Sequence, residues 1–234
     1  MNYAAELQNT STESTTFTRP EVRFARSEDE KQAIFRFRYK VYVEGMGRDK
    51  NTADHINETL SDSLDESATL IGAFLGDVAV GAGRVNYSSD CTLPEEELYG
   101  FSEYEKKYPN GLSLTSKVMV DPEFRGTKIF LDIARLCLID AGPKKIRGNF
   151  IATADKLVPL FKKIGFVQYR PRVDSYLDYG SSNPMMMDPN DIGHLESVNS
   201  PLLDLAKRYY VRPTVQFDSE PKNFNPFHAM AFAR

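Results

Sequence analysis

Apolar and polar positions along the chain change period several times, and each change marks an element. Residues 21–25 read as a short strand. Ser27 with Glu30 three residues on forms a capping box. After it, residues 28–46 put Ile34, Phe37 and Val41 on one face, which predicts a helix. Residues 47–67 are polar and acidic without a period, so they read as a loop with some helix. Residues 69–74 and 78–87 flank Gly76-Asp77 and predict a hairpin. Gly81 and Gly83 in its return strand point to a bulge or a close backbone approach. Residues 93–107 form an acidic helix stopped by Pro109.

Residues 112–120 read as a buried strand, Asp121-Pro122 as a turn, and the stretch to about Ala141 as a helix. That helix is apolar nearly all round, with Ile129, Phe130, Leu131, Ile133, Leu136, Cys137 and Leu138, so it is mostly buried. Residues 146–152 are a further strand. A helix capped from Thr153 or Asp155 carries Leu157, Leu160, Phe161 and Ile164 and stops at Gly165. Residues 166–172 and 175–179 look like strands, and Ser200-Pro201 opens a last amphipathic helix. The order is strand, helix, hairpin, strand, helix, strand, helix, strand, with no internal repeat. It predicts one α/β domain of α+β character over residues 20–211. Residues 1–19 read as a polar, Ser- and Thr-rich tail. Residues 212–234 read as an extension that packs on the domain.

Composition narrows the function. The chain has 234 residues, is 41% hydrophobic and carries a net charge of −4. One substantial core fits that length. A general nucleic-acid binder would show a basic excess, so no nucleic-acid partner is expected. No apolar run approaches a membrane span. The two cysteines, Cys91 and Cys137, give neither a disulfide framework nor a CxxC metal signature. A reducing cytoplasm and no metal are the expectations.

The segment with chemical content runs from Ser116 to Lys128. A strand that feeds a helix start leaves backbone N–H groups unpaired, and these together with the helix dipole bind phosphate. Arg125 and Lys128 add charge at the same end. The bland reading is a plain strand, turn and helix with solvated basic residues.

Ser116-Lys117-Val118-Met119-Val120-Asp121-Pro122-Glu123-Phe124-Arg125-Gly126 resembles the donor-binding motif of the GNAT superfamily of acyltransferases, V-x-P-x-x-R-G. Phe161-Lys162-Lys163-Ile164-Gly165-Phe166 is similar to the next GNAT signature, a helix closing on (Y/F)-x-x-x-G-F. Narrower likenesses point to the acyl-homoserine lactone synthases and N-acyl amino acid synthases. Phe35 to Tyr42 resembles their R-x-x-V-(F/Y) helix, Val80 to Val85 their G-x-x-R-L strand, and Thr115 to Asp121 their S-R-x-x-V-D. Tyr179-Gly180, Pro184-Met185, Asp191, His194-Leu195 and Ser200-Pro201 match a C-terminal pattern of the N-acyl amino acid synthase branch. The likeness covers about residues 20–205.

This resemblance implies a GNAT-like fold, a mixed sheet splayed at its middle strands and flanked by helices. It implies transfer of an acyl group, often a long fatty chain, from an acyl carrier protein or coenzyme A thioester to the amine of an amino acid or peptide. The phosphopantetheine arm would lie beside Val118 and Val120, with phosphate at Arg125, Gly126, Thr127 and Lys128. A backbone N–H of Val118, Met119 or Val120 would polarise the thioester carbonyl. Arg38, Arg84 and Lys117 would bind the acceptor, or else pair with the acidic loop from Asp62 to Glu66. Lys117, Lys144, Lys145 and Arg147 would lie near the donor end, facing an acidic carrier protein. Phe101, Phe130, Leu131, Leu136 and Met185 to Met187 are candidates to line an acyl tunnel.

Two departures stand out. Lys128 and Phe130 occupy loop positions that are small in common GNATs, which favours a carrier-protein arm over a bulkier pyrophosphate. The synthases' Glu is Leu114 here, and the acetyltransferases' Tyr is Phe161. Glu44, Asp65, Glu97 and His194 remain as base candidates. Two rival readings stay open: an acetyl-coenzyme A-dependent acetyltransferase of small amines, and a weakly catalytic module that binds an acyl carrier protein.

Overall fold

The computed structural model describes residues 19–49, 51–174 and 180–211. Seven strands form one sheet: β1 (Glu21–Phe24), β2 (Thr69–Leu75), β3 (Val78–Tyr87), β4 (Leu112–Val120), β5 (Gly148–Thr153), β6 (Val167–Gln168) and β7 (Asn183–Met187). Their order is β1-β2-β3-β4-β5-β7-β6. Only β4 and β5 run parallel; every other neighbouring pair is antiparallel.

Helix α1 (Glu28–Tyr39) starts on the expected Ser27 capping box. It does not run on as α-helix to Met46. Lys40–Gly45 forms a π-helical segment instead, a device found mostly at functional sites. The acidic stretch 93–107 is split into α2 (Glu96–Tyr99) and α3 (Phe101–Lys107) by Gly100, which sits at φ 65°. α4 (Ile129–Ala141) and α5 (Val158–Ile164) lie where the apolar periods put them. α6 (Ile192–Ser197) was not legible from periodicity, and α7 (Leu203–Tyr210) starts past Ser200-Pro201. β7 was also missed, because Pro and a Met run carry little strand propensity. The strand expected at 166–172 shrinks to two residues. The expected strand 175–179, the tail 1–18 and the extension 212–234 lie outside the described residues.

The sheet is covered on both faces. Ile34, Phe35 and Phe37 of α1 pack on Phe74, Ala79, Ala82 and Met119. On the opposite face Ile129, Ile133 and Cys137 of α4 pack on Ile71, Ala73, Val80 and Val85. The β3 glycines make that second contact possible. A Cβ on Gly81 would stand 2.9 Å from Ile129 Cγ2, and one on Gly83 would stand 2.9 Å from Ile133 Cγ2. Side chains there would push α4 off the sheet.

A partly buried polar lock fixes the far end of α4. The Asp140 carboxylate accepts from the Tyr87 hydroxyl at 2.6 Å, Thr69 Oγ1 at 2.8 Å and Lys144 Nζ at 2.8 Å. Burial pushes the Asp140 carboxyl up, but the bonds from Lys144, Tyr87 and Thr69 outweigh it and hold the group below its usual range. Such a depressed carboxyl contributes stability above the unfolded carboxylate range and loses it as pH falls through the folded value. Asp140→Ala is therefore expected to cost about 1–3 kcal/mol at neutral pH, because it strands the Tyr87 hydroxyl. Urea denaturation at pH 7 and pH 3 checks this: the gap between wild type and variant should narrow in acid.

Candidate active site

The site begins where two parallel strands part. β4 pairs with β5 only through Leu112, Ser113 and Leu114. Beyond Leu114, β5 continues to pair with β7 as far as Thr153. The β5-facing edge of β4 from Thr115 to Val120 is left without a strand partner.

A bulge accompanies the parting. Arg84 opposes Ser116 and Ala82 opposes Met119, so Gly83 faces two residues, Lys117 and Val118. Lys117 takes up the extra length in the left-handed region at φ 51°, where side chains are uncommon. A bulge bends its strand and raises the local twist. The extra residue is on β4, while the glycine on β3 gives the room. Past the bulge, the Asp121 N–H bonds the Val80 carbonyl at 2.9 Å. Strand N–H groups alternate sides, so Met119 turns its N–H toward β3, and Val118 and Val120 turn theirs into the gap. Of the three strand donors anticipated, two face the opening.

The turn after β4 is built to hold the helix start in place. Asp121 is buried; Oδ1 accepts from the Glu123 N–H at 3.0 Å and Oδ2 from Lys40 Nζ at 3.1 Å. Arg125 Nε donates to the Val120 carbonyl at 3.4 Å, which sets the guanidinium at the mouth of the gap. Gly126 sits at φ 81° with nothing near its Cβ position. Thr127 Oγ1 donates to the Phe124 carbonyl at 2.7 Å and accepts weakly from the Ile129 N–H at 3.4 Å. The first helical bond of α4 runs from Asp132 to the Lys128 carbonyl, so with Ile129 turned to Thr127 the Phe130 and Leu131 N–H groups of the first turn remain available to an anion. Lys128 is exposed. Phe130 does not crowd this loop as its position suggested. Its ring lies inward, edge-to-face with Phe161 at 5.5 Å, and Phe161 in turn meets Phe166 at 5.5 Å.

Inside the gap lies an apolar cavity of about 20 Å³, lined by Val118, Phe130, Ile133, Ile151, Phe161 and Met187 among others. Thr115 Oγ1 bonds Asn149 Oδ1 at 2.8 Å and closes the root between the strands. Cys137 also lines the cavity; burial pushes its thiol up to about 12. It is a small apolar wall, not a nucleophile. Phe101, by contrast, lies on the other face, stacked on Tyr99 and against Phe150.

On that other face, next to the bulge, is a cluster of charges. Arg38 is fully buried, and its Nη1 donates to both Asp65 oxygens at 2.8 and 2.9 Å. Arg84 reaches Asp62 Oδ1 at 2.5 Å, Asp65 Oδ1 at 3.3 Å and Ser116 Oγ at 2.9 Å. Lys117 Nζ stands 3.5 Å from Asp62 Oδ2 and 5.4 Å from the centre of the Tyr42 ring. Three cations thus share two carboxylates, and Nε and Nη2 of Arg38 have no partner among the described residues. Arg38, Asp65 and Arg84 are sealed, with side chains at most 5% exposed, whereas Asp62 is 40% and Lys117 12% exposed. The two arginines thus pair with the acidic loop, and what the cluster shows to solvent is Asp62 and Lys117.

The comparisons with known proteins agree with this geometry. The family model of N-acyl amino acid synthase FeeM matches residues 33–187, more than half of the chain. The chain belongs to the FeeM family of N-acyl amino acid synthases. It is accordingly an N-acyltransferase that moves an acyl group from a thioester to an amine. No curated protein sequence matches it. Its fold is that of FeeM itself, from uncultured soil microbes, with TM-score 0.61 and 16% identity over 80% of this chain and 97% of that one. TofI, solved in a ternary complex with an inhibitor and MTA, gives TM-score 0.59 and 16% identity over 80% and 100%. BjaI, a CoA-dependent acyl-homoserine lactone synthase solved with SAM and isopentyl-CoA, gives 0.55 and 16% over 82% and 98%. The expected GNAT-like architecture is the one found.

Within this FeeM-family fold the base candidates scatter. Glu44 is exposed on the π-helical segment. Glu97 is exposed on α2, and its carbonyl receives Arg170 next to β6, three strands from β4. His194 lies on α6 beyond β7, where its N–H bonds Asp191 and its Nε2 is buried without a partner among the described residues. Asp65 is locked to two arginines. Lys144, Lys145 and Arg147 are not at the donor end: the Arg147 N–H bonds the Gly111 carbonyl, at the start of β4. Sequence reading missed Ser116 as the Arg84 partner and the Thr115–Asn149 bridge. Only the two-residue alternation along β4 could have suggested them.

Removing one partner of a buried ion cluster leaves the other charges uncompensated. Asp65→Ala is expected to lower stability by about 3–5 kcal/mol. Chemical denaturation checks this, and loss of less than 1 kcal/mol would show that the cluster is not buried as described.

Proposed function

We propose that the chain transfers a long fatty acyl group from the phosphopantetheine arm of an acyl carrier protein to the amine of an amino acid. One observation carries this reading: the strand edge from Thr115 to Val120 is free and lies beside a basic helix start. An amide-bearing arm would pair with that edge as an added strand. Its phosphate would rest on the α4 start with Arg125 and Lys128, beside Gly126 and Thr127. The Val118 or Val120 N–H would face the thioester oxygen as negative charge develops on it. The amine would approach from the side of Asp62 and Lys117, on the opposite face of β4 from the cavity. Holding amine and thioester together supplies much of the rate, since thioesters are already activated.

The preference for a carrier protein rests on charge. Arg125, Lys128 and Lys156 all lie at the donor end and are exposed. None forms a salt bridge among the described residues. They offer an acidic partner a complementary rim. A long chain would occupy the cavity between β4 and β5 once Phe130 and Phe161 turn aside. Aromatic edge contacts at about 1 kcal/mol each oppose that movement only weakly.

Mass spectrometry of products from long-chain acyl-carrier protein, the matching acyl-coenzyme A, acetyl-coenzyme A and an amino-acid mixture tests the proposal. Long-chain N-acyl amino acids made faster from the carrier protein are expected. Acetylated products alone would overturn it, and faster use of coenzyme A would remove the carrier protein from it. Arg125→Ala is expected to raise KM for the donor roughly tenfold, the worth of one charge-assisted bond, and to leave KM for the amine unchanged.

A further inference from the structure

The reaction needs a group that takes a proton from the acceptor. An amino acid arrives as an ammonium ion near neutral pH and must become an amine before it attacks. Leu114 and Phe161 fill the two positions where relatives' patterns put carboxylate or phenol. Both are buried among apolar neighbours, Leu114 with Phe101 and Phe150, Phe161 with Phe130 and Phe166.

We infer that Lys117 is the proton acceptor of the amine, standing on the bulge of β4 with Asp62 as the carboxylate that draws the ammonium in. This rests on the N-acyltransfer reading above. Three observations support it. Lys117 and Asp62 are the two members of the charged cluster that reach solvent, and they stand 3.5 Å apart. Lys117 sits on the bulge at φ 51° and directly precedes Val118, whose N–H faces the gap. Besides its carboxylate neighbours, its ammonium has two guanidinium groups near it, those of Arg84 and Arg38.

The groups around Lys117 set its behaviour. Arg84 faces it from β3, Arg38 from α1, Tyr42 from the π-helical segment, and Asp49, Asp62 and Asp65 from the acidic loop. Burial pulls the Lys117 ammonium below its ordinary value first, and Arg84 and Arg38 lower it further against the opposing pull of Asp62 and Asp49. A lysine tuned down in this way is a competent base. Asp62 is less suited. Burial raises its carboxyl, but Arg84, Lys117 and the Leu64 N–H hold it below its usual range, so it stays an anion.

Neutral Lys117 removes one proton from the ammonium and returns it to solvent. The amine nitrogen bonds the thioester carbon, the carbon–sulfur bond breaks, and the second nitrogen proton goes to the departing thiolate. Amide and free thiol are the products.

Lys117→Arg separates this role from simple charge, because a guanidinium cannot give up its proton. The measurement is kcat and acceptor KM from pH 6 to 10, with the full chain and the donor that wild type uses. For wild type, kcat should rise with pH through an inflection below the usual lysine range. For Lys117→Arg and Lys117→Met, kcat should fall on the order of 100-fold and lose that inflection, with acceptor KM nearly unchanged. Thermal melts identify a variant that has unfolded, and the wild-type profile then decides alone. A flat wild-type profile, or Lys117→Arg with wild-type kcat and inflection, overturns the assignment. So does a change confined to acceptor KM, which would make Lys117 a binder of the acceptor's carboxylate. Absence of transfer by wild type itself would remove the underlying reading, and this is distinguishable because every other outcome requires an active wild type.

Discussion

The structure turns on one extra residue in the middle strand. Lys117 occupies a left-handed backbone position, and β4 gains a residue against β3 there. Three consequences follow together. The strand bends away from β5, so the sheet opens past Leu114. Ser116 and Lys117 both engage the charged cluster, where they meet Arg84 and Asp62. Val118 and Val120 turn their N–H groups toward the opening. A regular strand would have kept its partner and sent Ser116 and Lys117 to opposite faces.

Strain of this kind persists only when its surroundings hold it. Here two sets of contacts do so. From one face, Arg84 spans Ser116, Asp62 and Asp65, and so ties the bulge to the acidic loop. From the other face, α4 lies so close to Gly81 and Gly83 that Ile129 and Ile133 touch the backbone of β3. The charged cluster is an expensive way to fasten a loop, since burying three charged groups, Arg38, Arg84 and Asp65, costs several kcal/mol per ion before their attraction is counted. A purely structural tie could be apolar. Charge makes physical sense where the same groups must also meet a charged acceptor.

The strand-to-helix framework was legible in the sequence, because it rests on local signals. The Ser27 and Glu30 box, the Gly76-Asp77 turn, the all-round apolar α4 and the Gly165 stop each specify an element within a few residues. The strand, turn and helix start from Ser116 to Lys128 were legible for the same reason. What stayed hidden depends on contacts distant in sequence. The turn of Phe130 inward follows from Phe161, and its position alone suggested crowding of the phosphate. The π-helical segment breaks a sound apolar period, and its first residue, Lys40, pairs with Asp121, eighty-one residues on. The scatter of Glu97 and His194 follows from strand order, and so does the place of Lys144, Lys145 and Arg147 at the wrong end of β4. No local pattern encodes strand order.

The two substitutions at Leu114 and Phe161 then read differently from simple losses. Each side chain points into a dry cluster, where a carboxylate or phenol would carry a desolvation cost of a few kcal/mol unless paired. With Phe161 the wall of the gap is hydrocarbon, while Leu114 lies with Phe101 and Phe150 on the opposite face, away from the cavity. On the proposed reading, an acyl chain in the cavity would meet apolar and aromatic surface, apart from the Thr115–Asn149 bridge at the root. The acceptor's ammonium would meet the Asp62 and Lys117 rim. The bulged strand between them separates the two environments by the thickness of one backbone. Across that backbone the developing oxyanion and the departing proton can be served by neighbouring residues, Val118 by its N–H and Lys117 by its amine.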